Sequence, residues 1–362
     1  DRLRSRGLGD VYKRQILMSE QINAIGFYKG LPIEDSNSLI NLKIDRPKAN
    51  DFDLLIEVKS VSVNPVDTKI RQGHPETSVP TVLGFDAYGT VVELGQKVTN
   101  FKVGDHVFYA GTNNRSGSDQ ALQLVDARIV AHAPQNISVE EAAAMPLTSL
   151  TAWESLFERM PLIPKKDANL GKQILIINGA GGVGSVAIQL AKWAGLKVLT
   201  TASRPETIEW VKKMGADVVL DYHKSLADQL KAVGIQSVGF ALIFHSTDNY
   251  LPILAKLVAP EGFITSIVEN ERPLPMGLLK SKSITFAWEF MFTKSIYQTA
   301  DMATQGTILE KIATLLDEKE IRSTLTVTLP GINATTLRHA HELVETNKMI
   351  GKVVLTGDFD AK

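Results

Sequence analysis

At 362 residues the chain is longer than one hydrophobic core usually sustains, so two domains are expected. Hydrophobic residues at 44% and charged residues at 22% exclude a largely disordered chain. The 39 Lys and Arg against 40 Asp and Glu leave no long-range field to gather nucleic acid or anionic membrane, and the lack of cysteine excludes disulfides and thiolate metal sites. A small-molecule partner and a cytoplasmic setting are the expectations.

Residues 1–15 are rich in Arg and Gly and lead into Met18-Ser19-Glu20, which reads like an ordinary chain start. Residues 1–17 are therefore expected to be a non-native extension, without the apolar core of a secretory signal. From about Ile40 to Pro134, short β-rich runs such as Leu54 to Val61 alternate with Gly, Pro, Asn and Asp, which predicts a compact, curved all-β unit. Gly84 and Gly89 stand inside strand-like sequence and predict bulges or close backbone approaches.

Ser138 with Glu141 three residues on predicts an N-cap, and a helix is expected through Glu140 to Met160. From Gly171 strand-sized apolar runs alternate with helical stretches: Ile174 to Asn178, Val183 to Ala194, Lys197 to Ala202 and Glu206 to Met214. Further strands are predicted at Val218 to Leu220, Ala241 to His245, Phe263 to Val268 and Ile284 to Phe290, and six suit a complete dinucleotide fold. Ile174 to Leu190, the most apolar stretch, is too broken by glycine to span a membrane. Beyond it, Ile308 to Leu316 and Thr335 to Thr346 read as helices, Ser323 to Leu329 and Lys352 to Leu355 as strands returning to the first domain.

The run Ile174-Leu175-Ile176-Ile177-Asn178-Gly179-Ala180-Gly181-Gly182-Val183-Gly184 places G-x-G-x-x-G directly after a strand. The first glycine suits a tight turn, the second lets backbone approach a pyrophosphate, and the third lets the helix pack on the strand. About twenty residues on, an acid would bind a ribose 2′-hydroxyl; the chain instead has Ser203 and Arg204, a hydroxyl and a cationic fork suited to a 2′-phosphate. NADPH is the expected cofactor.

The chain resembles the medium-chain dehydrogenase/reductase superfamily, on its quinone oxidoreductase and zinc-type alcohol dehydrogenase-like branch. The resemblance rests on Val63-Asn64-Pro65-Val66-Asp67 with Lys69-Ile70-Arg71, on Leu83-Gly84-Phe85-Asp86-Ala87-Tyr88-Gly89, on Pro146 to Trp153, on the glycine loop and on Gly351-Lys352-Val353-Val354-Leu355. It implies an α/β fold: a Rossmann doubly wound parallel sheet over residues 148–299, and a GroES-like β-barrel catalytic domain over residues 18–147 and 300–362. It further implies that Asn64 and Asp67 lie near nicotinamide or substrate, that Thr148 contacts the cofactor, that Tyr222 sits by the adenosine phosphate and that Lys352 reaches the cofactor. Zinc-dependent relatives carry Gly-His-Glu where this chain has Gly84-Phe85-Asp86, and cysteine ligands that it lacks. His339 and His341, two apart in a helix, cannot share a metal.

Without a Lewis acid, the expected acceptors are already polarised: quinones, or α,β-unsaturated carbonyl compounds. Candidate donors are Lys69, Tyr88 and His74, although some related quinone reductases have a tyrosine where Lys69 stands, and solvent can protonate a reduced quinone. His74 reads equally as a loop residue and His245 as a core histidine, while Trp288, Phe290 and Phe292 read as packing, substrate wall or an edge for a second subunit. A homodimer is expected from the resemblance. The rivals are a zinc alcohol dehydrogenase, which metal content decides, and a non-enzymatic NADPH-binding protein.

Overall fold

The computed structural model describes residues 20–359. The expected non-native extension, residues 1–17, lies outside them. Strand β1 (Gln21–Gly26), ahead of the predicted β region, forms an antiparallel pair with β2 (Ile40–Asp45) at its start. β3 (Asp53–Val63) is the spine of the next sheet: β4 (Asp86–Leu94) runs antiparallel along one edge, while β6 (Leu122–Asp126) pairs the first half of the other. β5 (His106–Tyr109) and β7 (Val130–His132) continue outward from β4.

This unit is not all-β, because α1 (Pro65–Gln72) follows β3. Its start is local chemistry: Asn64 is the N-cap, Pro65 takes the first helical position, and Asp67 accepts the Asn64 N–H at 2.7 Å. The predicted close approaches at glycine are present. A Cβ on Gly89 would lie 2.4 Å from the Glu57 carbonyl oxygen, beside a register shift in the β3–β4 ladder, and Gly84 takes φ +104°.

The predicted helix from Glu140 to Met160 is divided. Ser138 and Glu141 form the expected capping box on α2 (Val139–Ala143), but Pro146 has no N–H to continue that helix and instead opens α3 (Pro146–Trp153). A π-helical turn (Glu154–Glu158) ends it.

The alternating segment builds β8 (Gln173–Ile177), α4 (Gly182–Trp193), β9 (Lys197–Thr201), α5 (Pro205–Met214), β10 (Val218–Leu220) and α6 (Leu226–Ala232). It continues through β11 (Val238–Ile243), α7 (Thr247–Leu257), β12 (Val258–Ser266), α8 (Gly277–Lys280) and β13 (Thr285–Trp288). All six strands pair in parallel in the order β10-β9-β8-β11-β12-β13. That is the doubly wound Rossmann order, with its switch point between β8 and β11. Val186, Ala187 and Leu190 of α4 are fully buried on the sheet, and Gly195 in a left-handed conformation stops the helix.

After α9 (Thr293–Tyr297) and α10 (Thr304–Asp317) the chain returns. β14 (Leu325–Ile332), α11 (Ala334–Glu345) and β15 (Lys352–Phe359) follow, and β15 pairs antiparallel with the second half of β3. This seven-stranded sheet therefore joins β3 to β7 with the late strands β14 and β15. Among the described residues no helix is long and apolar enough to cross a membrane.

Candidate active site

The glycine loop has the geometry its spacing predicts. Asn178 leaves β8 with φ +67°, its N–H donating to Thr201 Oγ1 at 2.9 Å. A Cβ on Gly179 would meet Thr200 Oγ1 at 2.0 Å, and one on Gly184 the Asn178 carbonyl oxygen at 2.2 Å, so neither position accepts a side chain. Gly181 caps α4, and Gly182, Val183 and Gly184 form its first turn, where free N–H groups and the helix dipole favour an anion. The Ala180 carbonyl accepts the Gly351 N–H at 2.9 Å, tying the loop to the returning C-terminal segment.

That segment delivers Lys352. Lys352 Nζ donates to Asp86 Oδ2 at 2.9 Å, to the Val63 carbonyl at 3.2 Å and to Asn64 Oδ1. Asn64 Nδ2 donates to the same Asp86 oxygen at 2.8 Å, and Asp86 Oδ1 accepts the Leu147 N–H at 2.7 Å. The stem of Lys352 and the methyl of Thr148 flank the glycine loop: a Cβ on Gly182 would lie 3.0 Å from Lys352 Cδ and from Thr148 Cγ2. The Thr148 hydroxyl donates to the Met145 carbonyl at 3.2 Å.

Two more carboxyls are buried nearby. Burial pushes Asp67 up to about 7, against the lowering pull of the Asn64 N–H and of Lys352. Burial, with Asp67 as a charged neighbour, holds Asp119 well above the usual carboxylate range. A Cβ on Gly84 would lie 2.8 Å from Asp119 Oδ1. Asp119 carried no signal in the sequence, and Asp86 stood in a motif without an assigned role.

The remaining expected residues are placed as follows. Ser203 is half-buried; Arg204 caps α5, donates to the Lys348 carbonyl at 2.8 Å and lies 3.3 Å from Glu206. Tyr222 is exposed and packs against the His223 ring. Lys69 is exposed on α1, and Tyr88 stacks on His106 and packs against Ala143, Ala144 and Val354. Neither has a described contact with the Asn64–Asp86–Lys352 cluster. His74 is held by the Pro75 carbonyl at 2.7 Å and Thr81 Oγ1 at 3.0 Å, which is the bland reading of that residue. His245 is not a core histidine: it is exposed just beyond β11. Trp288 and Phe290 are exposed at the outer strand β13, whereas Phe292 is buried edge-on against Phe85.

The donor set suits a nicotinamide dinucleotide: a glycine cradle closed to any Cβ, a helix N-terminus for the pyrophosphate and a cation at the end of the second strand. It does not suit zinc. Among the described residues no group of three His, Cys, Asp or Glu is arranged to hold a metal ion, and Phe85 packs where a ligating histidine stands in zinc-dependent relatives.

Comparison with known proteins agrees with this architecture. Residues 50–145 match the alcohol dehydrogenase GroES-like domain, and residues 182–305 match the zinc-binding dehydrogenase domain. A zinc-type alcohol dehydrogenase-like protein of Staphylococcus epidermidis is 42% identical over 92% of this chain and 99% of its own length. An NADPH-dependent alkenal/one oxidoreductase of Arabidopsis thaliana is 38% identical over 62% of this chain and 60% of its own. Among solved structures, one from Rhizobium etli described as a zinc-dependent alcohol dehydrogenase protein superposes with TM-score 0.89 at 42% identity, covering 94% of this chain and 99% of that one. The Escherichia coli quinone oxidoreductase complexed with NADPH gives TM-score 0.77 at 25% identity, covering 92% and 100%.

Proposed function

Since the chain belongs to the medium-chain dehydrogenase/reductase superfamily, on its quinone oxidoreductase-like branch, we propose that this oxidoreductase uses NADPH to reduce quinones or α,β-unsaturated carbonyl compounds without a resident metal. The observation that carries the reading is the Gly182 slot, where the glycine loop meets Lys352 of β15 and Thr148 of α3. NADPH, when bound, supplies the hydride; the side chains bind, orient and exclude water. Gly179 to Gly184 and the first turn of α4 take the pyrophosphate, Ser203 and Arg204 the 2′-phosphate, and Tyr222 lies on the adenosine side.

The acceptor class follows from chemistry. With no metal to polarise an unactivated carbonyl, the acceptor must arrive electron-poor, and the Arabidopsis and Escherichia coli relatives are named for acceptors of that kind. Asn64, bonded to Lys352, and Asp67, which accepts the Asn64 N–H, are the groups we assign to the acceptor side. A neutral Asp67 can hold a proton at its carboxyl, and solvent can complete protonation of a reduced quinone. Lys69 and Tyr88 stay outside this scheme.

We place the nucleotide-binding part at residues 148–299 and the catalytic part at 18–147 and 300–362. We further propose a cytoplasmic homodimer joined at the outer strand β13, where exposed Trp288 and, just beyond the strand, exposed Phe290 supply an apolar edge; light scattering at the monomer mass contradicts it. The function itself is tested by following NADPH absorbance with a panel of quinones, enones and simple alcohols after chelator treatment. Consumption with the first two classes alone supports it; activity on alcohols that requires added zinc refutes it.

A further inference from the structure

Asp86 is fully buried, and its described side-chain bonds go to Asn64, to Lys352 and to the Leu147 N–H beside Thr148. Its Oδ1 takes the Leu147 N–H, one of the first-turn donors of α3 that have no partner within the helix, next to Thr148. Its Oδ2 takes Lys352 Nζ and Asn64 Nδ2. Lys352 in turn spends its three N–H bonds on Asp86, Asn64 and Val63, so only its alkyl stem faces Gly182. The two groups that flank Gly182 are thus both tethered to one carboxylate.

We propose that Asp86 is the positioning residue of the nucleotide slot, holding Lys352 and Thr148 at a fixed separation on either side of Gly182. The proposal rests on the reading of that slot as a nicotinamide dinucleotide site. Leaving either member of this buried pair without the other strands a charge away from water, so the two act as a unit. Asparagine at 86 is nearly isosteric and its carbonyl can still accept the Leu147 N–H. Its amide, however, presents hydrogens to Lys352 and Asn64, which are themselves donors, so the tether to Lys352 fails while that to α3 survives.

The test is a double-mutant cycle read by NADPH fluorescence titration on full-length protein, with steady-state kinetics beside it. Asp86→Asn and Lys352→Met are each expected to raise the Kd for NADPH about tenfold, with kcat at saturating NADPH changed much less than KM. The double variant, which leaves no unpaired buried charge and so avoids the misfolding risk of the single changes, is expected to bind no worse than the weaker single variant. Wild-type affinity in folded Asp86→Asn or in the double variant, or losses that multiply in the double variant, overturns the proposal alone. Wild-type protein that binds neither NADPH nor NADH overturns the nucleotide reading, and this proposal with it.

Discussion

Asp86 and Lys352 meet at 2.9 Å although 266 residues separate them in the chain. The contact joins β4 to β15, and through Lys352 it brings the seven-stranded sheet against the glycine loop at Gly182. The bond that closes the chain thus also places Lys352 beside Gly182.

In the proposed function Arg204 is the residue that selects NADPH over NADH. Its guanidinium already lies between the Lys348 carbonyl and Glu206, so a 2′-phosphate must compete with one carboxylate but gains a charge-assisted, bidentate partner. Arg204→Ala is expected to weaken NADPH binding by about tenfold or more while NADH binding changes less than about threefold. Equal losses, measured by the two titrations, contradict the assignment of Arg204 to the phosphate.

Asp67 makes folding pH-dependent in a stated direction. Its folded value, about 7 against 3.8, means that the native state keeps a proton which the unfolded state has lost. This group therefore costs stability as pH rises from about 4 to about 7, by up to about 1.4 kcal/mol per pH unit, and nothing further above that. Asp67→Asn retains an acceptor for the Asn64 N–H and removes the titration. Its melting temperature relative to wild type is expected to be several degrees more favourable at pH 8 than at pH 5; a constant difference contradicts the raised value.

His341 acts at the opposite end of the range. It is buried, neither ring nitrogen has a hydrogen-bond partner within the described residues, and burial, together with the adjacent Arg71, presses it down to about 3. Its neutral form is full-strength above about 6.5, and its contribution is lost as pH falls from there toward 3, about 2 kcal/mol at pH 5. His341→Leu should lower the urea midpoint less than wild type does between pH 7.5 and pH 5. Parallel losses in the two proteins would mean that His341 does not titrate in this way.

What was legible in the sequence was what neighbours in sequence decide. The six parallel strands, the glycine loop, the Ser138–Glu141 box and the helix ending at Met214 all depend on residues within a few positions of one another. Two further features follow from the same local grounds. Pro146 marks a break inside the supposed helix from Glu140 to Met160. Lys69 lies two residues from buried Asp67 on one helix and so faces away from it. Tyr88 is subtler: it alternates onto the face of Asp86, but roughly 6.6 Å further along the strand, and there it meets His106 and α2 rather than Lys352. Asp119 was not legible at all, since its neighbours Gly84 and Asp67 reach it only through the folded sheet.

The central claim is that hydride passes from NADPH to an electron-poor acceptor in a metal-free site. The most direct measurement uses chelator-treated protein with NADPH deuterated at the transferring position of C4, an enone as acceptor, and mass analysis of the product. Deuterium at the β-carbon of the saturated product, from protein with far less than one zinc per chain, is the predicted result. Tight NADPH binding with no label transferred to any enone and no quinone-dependent NADPH loss, or transfer that appears only when zinc is restored, would contradict it.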